Sequence, residues 1–326
     1  DIVLKLAPGT ALSIGLLTDE ARPPINVGRL AMAGGLAQLE WSTDILASGL
    51  LLAPIRYPPE PGLIAACTRE FDGLNGFLAD SLPDMWGTLL LKRRLTQLGY
   101  SFDGLNAVDR LALVGRRGRG ALVFEPETLD MNISGNIDLD MLAQQARPIL
   151  LGEEGELDAL LTHLGGGSGG ARPKVHISFA ADGGLKAGDE TGGEGWSEWI
   201  VKFPANTAFP DIGPVEEAYA RMARAAGIVM AETRLIQSAY GPGHFATRRF
   251  DRPAPGKRVH MISLAGALEA SPFVPSLDYD GFLRATLSIT RDMRDVEQAF
   301  RRMVFNILAH NRDDHVRQHA YLMDEK

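Results

Sequence analysis

Two polar clusters in this sequence have residue types and spacing suited to handling phosphate. The first is the run Gly165, Gly166, Gly167, Ser168, Gly169, Gly170, followed by a lone Lys202 inside the apolar stretch Trp199 to Pro204. Glycines allow close approach and offer backbone N–H donors, and a lysine supplies a point charge for phosphate oxygens. The run formally matches G-x-G-x-x-G through Gly165, Gly167 and Gly170, but a helical pattern precedes it and a strand pattern follows, the reverse of a dinucleotide fold. Without a closing Gly-Lys-Ser/Thr it is not a Walker A loop either. A flexible linker between domains is the competing reading. The second cluster is Asn311, Arg312, Asp313, Asp314, His315, Val316, Arg317, Gln318, His319. A carboxylate such as Asp313 can take a proton from a hydroxyl, and an amide five residues on, Gln318, can hold Mg²⁺. The competing reading is a polar cap on the preceding helix. Zinc is disfavoured, because Val316 replaces the Glu of H-E-x-x-H between His315 and His319 and no Cys is near.

These clusters need elements to hold them. The first 60 residues read as short strands, with apolar runs at Ile2 to Leu6, Leu12 to Leu17 and Leu46 to Leu52 broken by Pro and Gly. From Leu74 the apolar spacing turns helical, and Pro83 opens a helix through Trp86 and Leu91. A helix over Ala107 to Val114 leads through Arg116, Arg117 and Arg119 to a strand at Ala121 to Phe124. The polar segment Glu125 to Asn136 is the expected domain boundary. Helices follow at Leu139 to Ala146 and Glu156 to Leu164, then strands at Lys174 to Ala180 and Glu198 to Phe203, with a Gly- and acid-rich hairpin loop, Asp182 to Gly195, between them. A helix at Pro214 to Gly227 has Glu216 and Glu217 near its positive end, where they serve the helix dipole or, for Glu216, pair with Lys202. Strands at Thr233 to Tyr240 and His244 to Phe250 come next. Helices at Leu264 to Glu269, Tyr279 to Ile289 and Asp292 to His310 precede a strand at Ala320 to Met323. In the last helix Val296, Phe300, Met303, Val304, Ile307 and Leu308 form one apolar face. A glycine-rich loop entering a strand, a Lys on the neighbouring strand, and an Asp loop between a long helix and a strand form the layout by which protein kinases hold ATP.

The resemblance becomes specific at this point. Phe77 to Gly87, containing Leu82, Pro83, Asp84 and Trp86, is similar to the "L-P-D-S-W-G" segment of the HipA-family serine/threonine kinases, the toxin half of HipA-HipB toxin-antitoxin pairs. Asp109 to Phe124 resembles the stretch that follows it. Gly169 to Lys174 resembles the family's glycine loop, Glu198 to Pro204 its Lys strand, and Glu216 to Ile228 its "N-E … A-G-I" helix. Arg249 to Arg252 carries "R-F-D-R", and Asn311 to His315 resembles "N-x-D-D-H". The resemblance implies an α+β, protein-kinase-like two-lobed fold: an N-terminal mixed α/β subdomain (1–125), a small-lobe-like region with the glycine loop and Lys strand (126–252), and the start of a helical lobe with the catalytic loop (253–326). It implies Asp313 as the catalytic residue, Lys202 as the ATP phosphate ligand, and Gly169, Gly170, Ala171, Arg172, Pro173 and Lys174 as the backbone cradle. Arg248, Arg249 and Phe250 fall where the family's hinge meets adenine, and His315 and Gln318 where its catalytic loop meets ATP and Mg²⁺. Ser168 lies about where the family autophosphorylates. The family usually has Asn where Gln318 stands. Its second acidic Mg²⁺ ligand follows the strand at Ala320 to Met323, so that residue, and the rest of the helical lobe, are expected beyond Lys326.

The implied activity is ATP-dependent phosphorylation of a protein Ser or Thr, with aminoacyl-tRNA synthetases as the family's substrates and growth arrest as the outcome. The implied partner is a HipB-like helix-turn-helix antitoxin, through which DNA is reached indirectly. A catalytically weak corepressor gripping that antitoxin on DNA is the alternative, and a small-molecule kinase of similar architecture a third reading. Composition agrees. The 326 residues carry a net charge of −8, against a dedicated nucleic-acid binder. The longest apolar run, Ile45 to Ile55, is broken by Ser48, Gly49 and Pro54 and falls short of the roughly 20 residues that span a bilayer. The single cysteine, Cys67, excludes an internal disulfide framework, suits a cytoplasmic protein, and is expected to be buried with its apolar neighbours. No signal peptide is visible. The arginines at 116, 117 and 119 read as a solvated turn or as a face for an acidic partner, and Trp86, Trp196 and Trp199 as packing residues.

Overall fold

The computed structural model describes residues 4–130, 137–153, 155, 158–188, 193–205 and 209–323. Strands β1 (Leu12–Leu16), β2 (Ile25–Ala33) and β3 (Leu36–Trp41) make an antiparallel meander in which Leu12, Leu30 and Leu39 share one buried rung. Helix α1 (Thr43–Ser48) follows where the sequence suggested a strand from Leu46. Local capping decides this: the Ser42 hydroxyl accepts from the Ile45 N–H at 3.2 Å, and Gly49 closes the helix at φ +73°. The short strand β4 (Leu63–Ala65) forms one edge. Cys67, two residues past it, is exposed, against expectation; Ala66 takes the buried place instead. Next come α2 (Gly76–Ala79), α3 (Met85–Gln97), α4 (Ala107–Val114) and β5 (Leu122–Glu125), giving the sheet order β4-β3-β2-β1-β5. Helix α4 is fixed by a capping box between Asn106 and Asp109. Phe77 stacks on Trp41 with ring centroids 5.7 Å apart, seating α2 on the core of this sheet.

The second sheet is preceded by α5 (Leu139–Leu150) and α6 (Asp158–Gly165). The expected start of α6 at Glu156, residues 131–136 of the boundary segment, and 189–192 of the acidic hairpin loop lie outside the described residues. Strands β6 (Lys174–Ala180), β7 (Leu185–Ala187) and β8 (Trp196–Lys202), helix α7 (Ile212–Ala225), then β9 (Thr233–Ile236) and β10 (His244–Arg248) complete it, in the antiparallel order β7-β6-β8-β10-β9. Its core of Val175, Ile177, Trp199, Val201 and Ala246 packs under Leu142, Ile149 and Leu161, and also takes in Trp86 and Leu90 from α3. Helix α3 therefore belongs by sequence to the first module and by packing to the second sheet as well, which brings the 77–87 segment against the glycine run.

The remaining elements are β11 (Met261–Ser263), α8 (Leu264–Leu268), α9 (Tyr279–Thr290), α10 (Met293–Leu308) and β12 (Ala320–Leu322), with β12 paired antiparallel to β11. Helix α10 has the expected apolar face, yet within the helix only Ala299 is fully buried, and Phe300, Ile307 and Leu308 are exposed. No described helix is long and apolar enough to cross a membrane.

Candidate functional site

The glycine run is packed rather than free. Helix α6 ends at Gly165, and the next residues fold back so that the Ser168 hydroxyl donates to the Gly165 carbonyl at 2.6 Å. Ser168 is fully buried. The loop lies along the start of α3: Asp84 N–H donates to Ser168 O and Trp86 N–H to Gly170 O, both at 3.2 Å, and the Trp86 indole N–H donates to Lys174 O at 2.9 Å. Close approach explains the glycines. A Cβ on Gly169 would stand 2.6 Å from an Arg119 nitrogen, and Gly170 sits at φ +83°, where a side chain is strained. Gly87 meets the loop from the other side, its own Cβ position 2.9 Å from Gly166 O. The linker reading fails on this packing.

Lys174 opens β6 and Lys202 closes β8, and the antiparallel register sets them opposite each other. Two like charges on one rung repel, so each needs an anion or a bond. Lys202 Nζ lies 3.2 Å from Glu216 Oε2, and Arg172 Nη1 donates to Glu216 Oε1 at 2.6 Å. Glu216 projects from the first turns of α7, so the helix supplies one carboxylate to two cations. Lys174 Nζ turns back to donate to Gly169 O. Burial and then the neighbouring Lys202 charge push the Lys174 ammonium down to about 7. Five cations, Lys174, Lys202, Arg172, Arg119 and Arg317, thus share two acids, Glu216 and Asp84.

Asp84 is the residue that sequence reasoning missed. It precedes α3 at its N-cap, yet its carboxylate accepts the Gly170 N–H at 2.7 Å, pairs with Arg119 at 3.7 Å and accepts from Arg317. Burial raises its pKa, but Arg119, Arg317 and the Gly170 N–H outweigh that and hold the carboxyl below the usual range. The "L-P-D" segment gave the only sequence signal, and it carried no role.

The loop after α10 begins at His310, in the left-handed region at φ +53°. It is pinned at its far end, where Leu264 N–H donates to His319 O at 2.8 Å and Ala265 N–H to Val316 O at 3.0 Å. Its two adjacent acids have opposite environments. Asp314 is largely covered, its side chain 11% exposed, accepting from Tyr279 Oη and from His319 Nε2 at 2.5 Å. Burial and the Asp314 bond push the Tyr279 hydroxyl up to about 12, while burial holds the His319 imidazole below its ordinary value in spite of Asp314. The Asp313 side chain is 80% exposed; it accepts from Gln318 Nε2 at 2.9 Å and lies 3.6 Å from His315 Nε2. Two residues before His319, Arg317 leaves the loop to reach Asp84, so this loop and the glycine loop meet on one carboxylate.

Two family models match in sequence order: the HipA N-terminal domain over residues 24–125 and the HipA-like C-terminal domain over residues 166–326. The chain belongs to the HipA family. None of the curated proteins matches it. Among solved structures it is similar to a chain in the complex of the Shewanella oneidensis MR-1 toxin-antitoxin system HipA, HipB and its operator DNA, with a TM-score of 0.65 and 19% identity over 96% of this chain and 72% of that one. That likeness shows the fold, a mixed α/β architecture of the HipA kinase-like type.

In this HipA-family fold Arg248 at the end of β10 and Arg249 and Phe250 just after it have three different surroundings. Phe250 is exposed, and Arg248 is half-buried, its guanidinium donating to Pro253 O at 3.3 Å. Arg249 is buried and turned inward, with Nη2 on Asp251 at 2.8 Å and Nη1 on His176 Nδ1 at 3.2 Å. Asp251 also accepts from Arg252 at 2.9 Å and from the Gly120 N–H at 2.8 Å, tying the HipA N-terminal module to the second sheet. Burial raises the Asp251 carboxyl, but Arg249 and Arg252 overcome this and hold it far below the usual range. The three arginines of the 116–119 turn are likewise bound internally. Arg116 pairs with Glu20 at 3.1 Å, Arg117 with Glu127 at 2.6 Å, and Arg119 donates to Leu82 O at 3.0 Å, so the solvated-turn expectation gives way to a set of ties.

Proposed function

We propose that this HipA-family chain binds ATP with Mg²⁺ and transfers a phosphoryl group to a Ser or Thr hydroxyl of a protein, as the toxin half of a toxin-antitoxin pair. The observation that carries the reading is the excess of positive charge beside the glycine loop. Lys202 and Arg172 converge on Glu216, while Lys174, opposite Lys202 in the register and turned to Gly169 O, has its ammonium pushed down to about 7 by burial and then by the Lys202 charge. A polyphosphate relieves that imbalance; a neutral ligand does not.

The donor set suits the cofactor. Gly169, Gly170 and Lys174 line one side of the cation cluster and Lys202 the other, with Glu216 holding Lys202 in place as the helix acid of a kinase does. The Asp313 carboxylate and the Gln318 amide stand 2.9 Å apart, oxygen-bearing groups of the kind Mg²⁺ takes. When bound, ATP-Mg²⁺ supplies the phosphoryl group and the charge that neutralises it. Asp313, exposed and free of strong cationic partners, accepts the hydroxyl proton, while Asp314 fixes the loop through Tyr279 and His319. Ser168 is buried as a hydrogen-bond donor, so its modification requires the loop to leave its seat.

The partner is a HipB-like helix-turn-helix antitoxin, supported by the HipA, HipB and operator DNA assembly of the solved relative. DNA is reached through that antitoxin, in keeping with the internal pairing of Arg116, Arg117 and Arg119. An aminoacyl-tRNA synthetase is the substrate class the family resemblance suggests. The test is expression in a bacterial host with and without the antitoxin. Growth arrest that the antitoxin relieves and Asp313→Asn abolishes supports the reading; arrest that persists in Asp313→Asn contradicts it.

A further inference from the structure

We infer that Asp84, in the N-terminal module, is a positioning residue that locks the glycine loop and the Asp313 loop to each other. The inference rests on the proposed phosphoryl-transfer site and assigns that site a control point outside the kinase-like body. Three observations converge. The Asp84 carboxylate accepts the Gly170 N–H at 2.7 Å, it accepts from Arg317, and Arg317 lies four residues after Asp313 and one before Gln318. One partly buried carboxylate therefore spans two loops that are almost 150 residues apart in the chain. Two guanidiniums and an N–H around one carboxylate are charge-assisted contacts, stronger in a partly dry setting than in water.

The N-terminal module is rigidly connected to this carboxylate on both sides. Four residues earlier, Asp80 is buried and accepts from the Ser263 N–H and hydroxyl, both at 2.6 Å, fixing the segment to the start of α8. Two residues later, Trp86 donates to Gly170 O and Lys174 O. The 80–86 segment is thus gripped by the helical region at one end and by the glycine loop at the other, with Asp84 as its charged contact to the Asp313 loop. Displacing this segment frees both loops together.

Asp84 also stands where its charge matters to the cations. It is the largest stabilising influence on the Lys174 ammonium. Asp84→Asn keeps an acceptor oxygen for Gly170 and removes the anion that Arg317 needs, so it separates loop seating from catalytic-loop placement.

The test has two arms on the full protein. In the first, hydrogen exchange is followed in wild type, Asp84→Ala and Arg317→Ala. Asp84→Ala is expected to speed exchange in residues 166–172 and 311–319 together, Arg317→Ala mainly in 311–319, with the β1–β3 sheet unchanged in both. Acceleration in neither loop, or in all regions equally as general destabilisation gives, overturns the inference. In the second arm, Asp84→Asn is expected to lower kcat for phosphoryl transfer by about tenfold or more while KM for ATP moves by less than about threefold, and Arg317→Gln adds nothing further in that background. An unchanged kcat, or additive losses, overturns it. If the wild-type protein transfers no phosphate, the functional reading fails and the exchange arm alone decides the lock.

Discussion

Lys202 at the end of β8 and Glu216 at the start of α7 meet at 3.2 Å, and Arg172 closes on the same carboxylate at 2.6 Å. The strand fixes the lysine and the helix fixes the acid. Neither side chain is fully buried, so the pair is worth little as a stabilising contact and more as a means of aiming Lys202.

Removing that aim has a measurable consequence for ligand binding. A charge-assisted hydrogen bond to phosphate contributes about 1.5–3 kcal/mol, so Lys202→Ala is expected to weaken ATP-Mg²⁺ binding by about ten- to a hundredfold in a calorimetric titration. Lys202→Arg is not expected to restore it, because the fork of a guanidinium does not fit a site built around a single ammonium opposite Lys174.

The neighbouring acids Asp313 and Asp314 are expected to separate activity from stability. Asp313→Asn leaves the unfolding midpoint almost unchanged, since the side chain is largely exposed, and lowers phosphoryl transfer by about 10²–10⁴-fold, the usual worth of a positioned general base. Asp314→Asn strips the anion from Tyr279 and His319 and is expected to cost about 1–3 kcal/mol of stability in a denaturant titration.

Lys174 gives the site a pH signature. Its ammonium is held down at about 7 in the fold, against about 10.4 in the unfolded chain. Between those values the unfolded chain carries the extra proton, so this group makes stability rise with pH from about 7 to about 10.4. Lys174→Met is expected to flatten that slope in denaturation curves measured across the window. Anion binding raises the same pKa, so ATP binding at about pH 8 is expected to take up close to one proton per site, read by calorimetry in buffers of different ionisation enthalpy.

The buried Arg249, Asp251 and Arg252 group is expected to be structural. Asp251→Asn removes the nearer anion of two buried guanidiniums, leaving them Glu198 at 3.7 and 3.8 Å, and is expected to destabilise the protein by about 3 kcal/mol. Phe250→Ala, on an exposed ring, is expected to change the unfolding midpoint little in a denaturant titration.

What was legible in the sequence followed from local rules. The periodicity of Ala107 to Val114 and of Lys174 to Ala180 marked those elements with the bounds they have, because capping and alternation act within a few residues. The differences arose from local caps and edges in two places and from distant chain in the others. The Leu46 run has the apolar composition of a strand, but the Ser42 cap and the Gly49 stop make its first part a helix. Cys67 was expected inside because its neighbours are apolar, but a strand edge buries only alternate positions. The arginines at 116, 117 and 119 looked solvated because Glu20, Glu127 and Asp84 are remote in sequence. Asp84 was visible only within the "L-P-D" segment for the same reason: its partners Gly170 and Arg317 are far away in sequence and are brought to it only by the fold. The Lys202–Glu216 pair was legible because a lone lysine on a strand and an acid in the first turns of the next helix stand in the order that lets them meet.

The most direct test is phosphoryl transfer from γ-labelled ATP with Mg²⁺, comparing the wild-type protein with Asp313→Asn at equal folded concentration. The account predicts label on Ser or Thr of a protein acceptor with the wild type and none with Asp313→Asn. Labelling of equal extent by both, or ATP binding by the wild type without any transfer to protein, would contradict it.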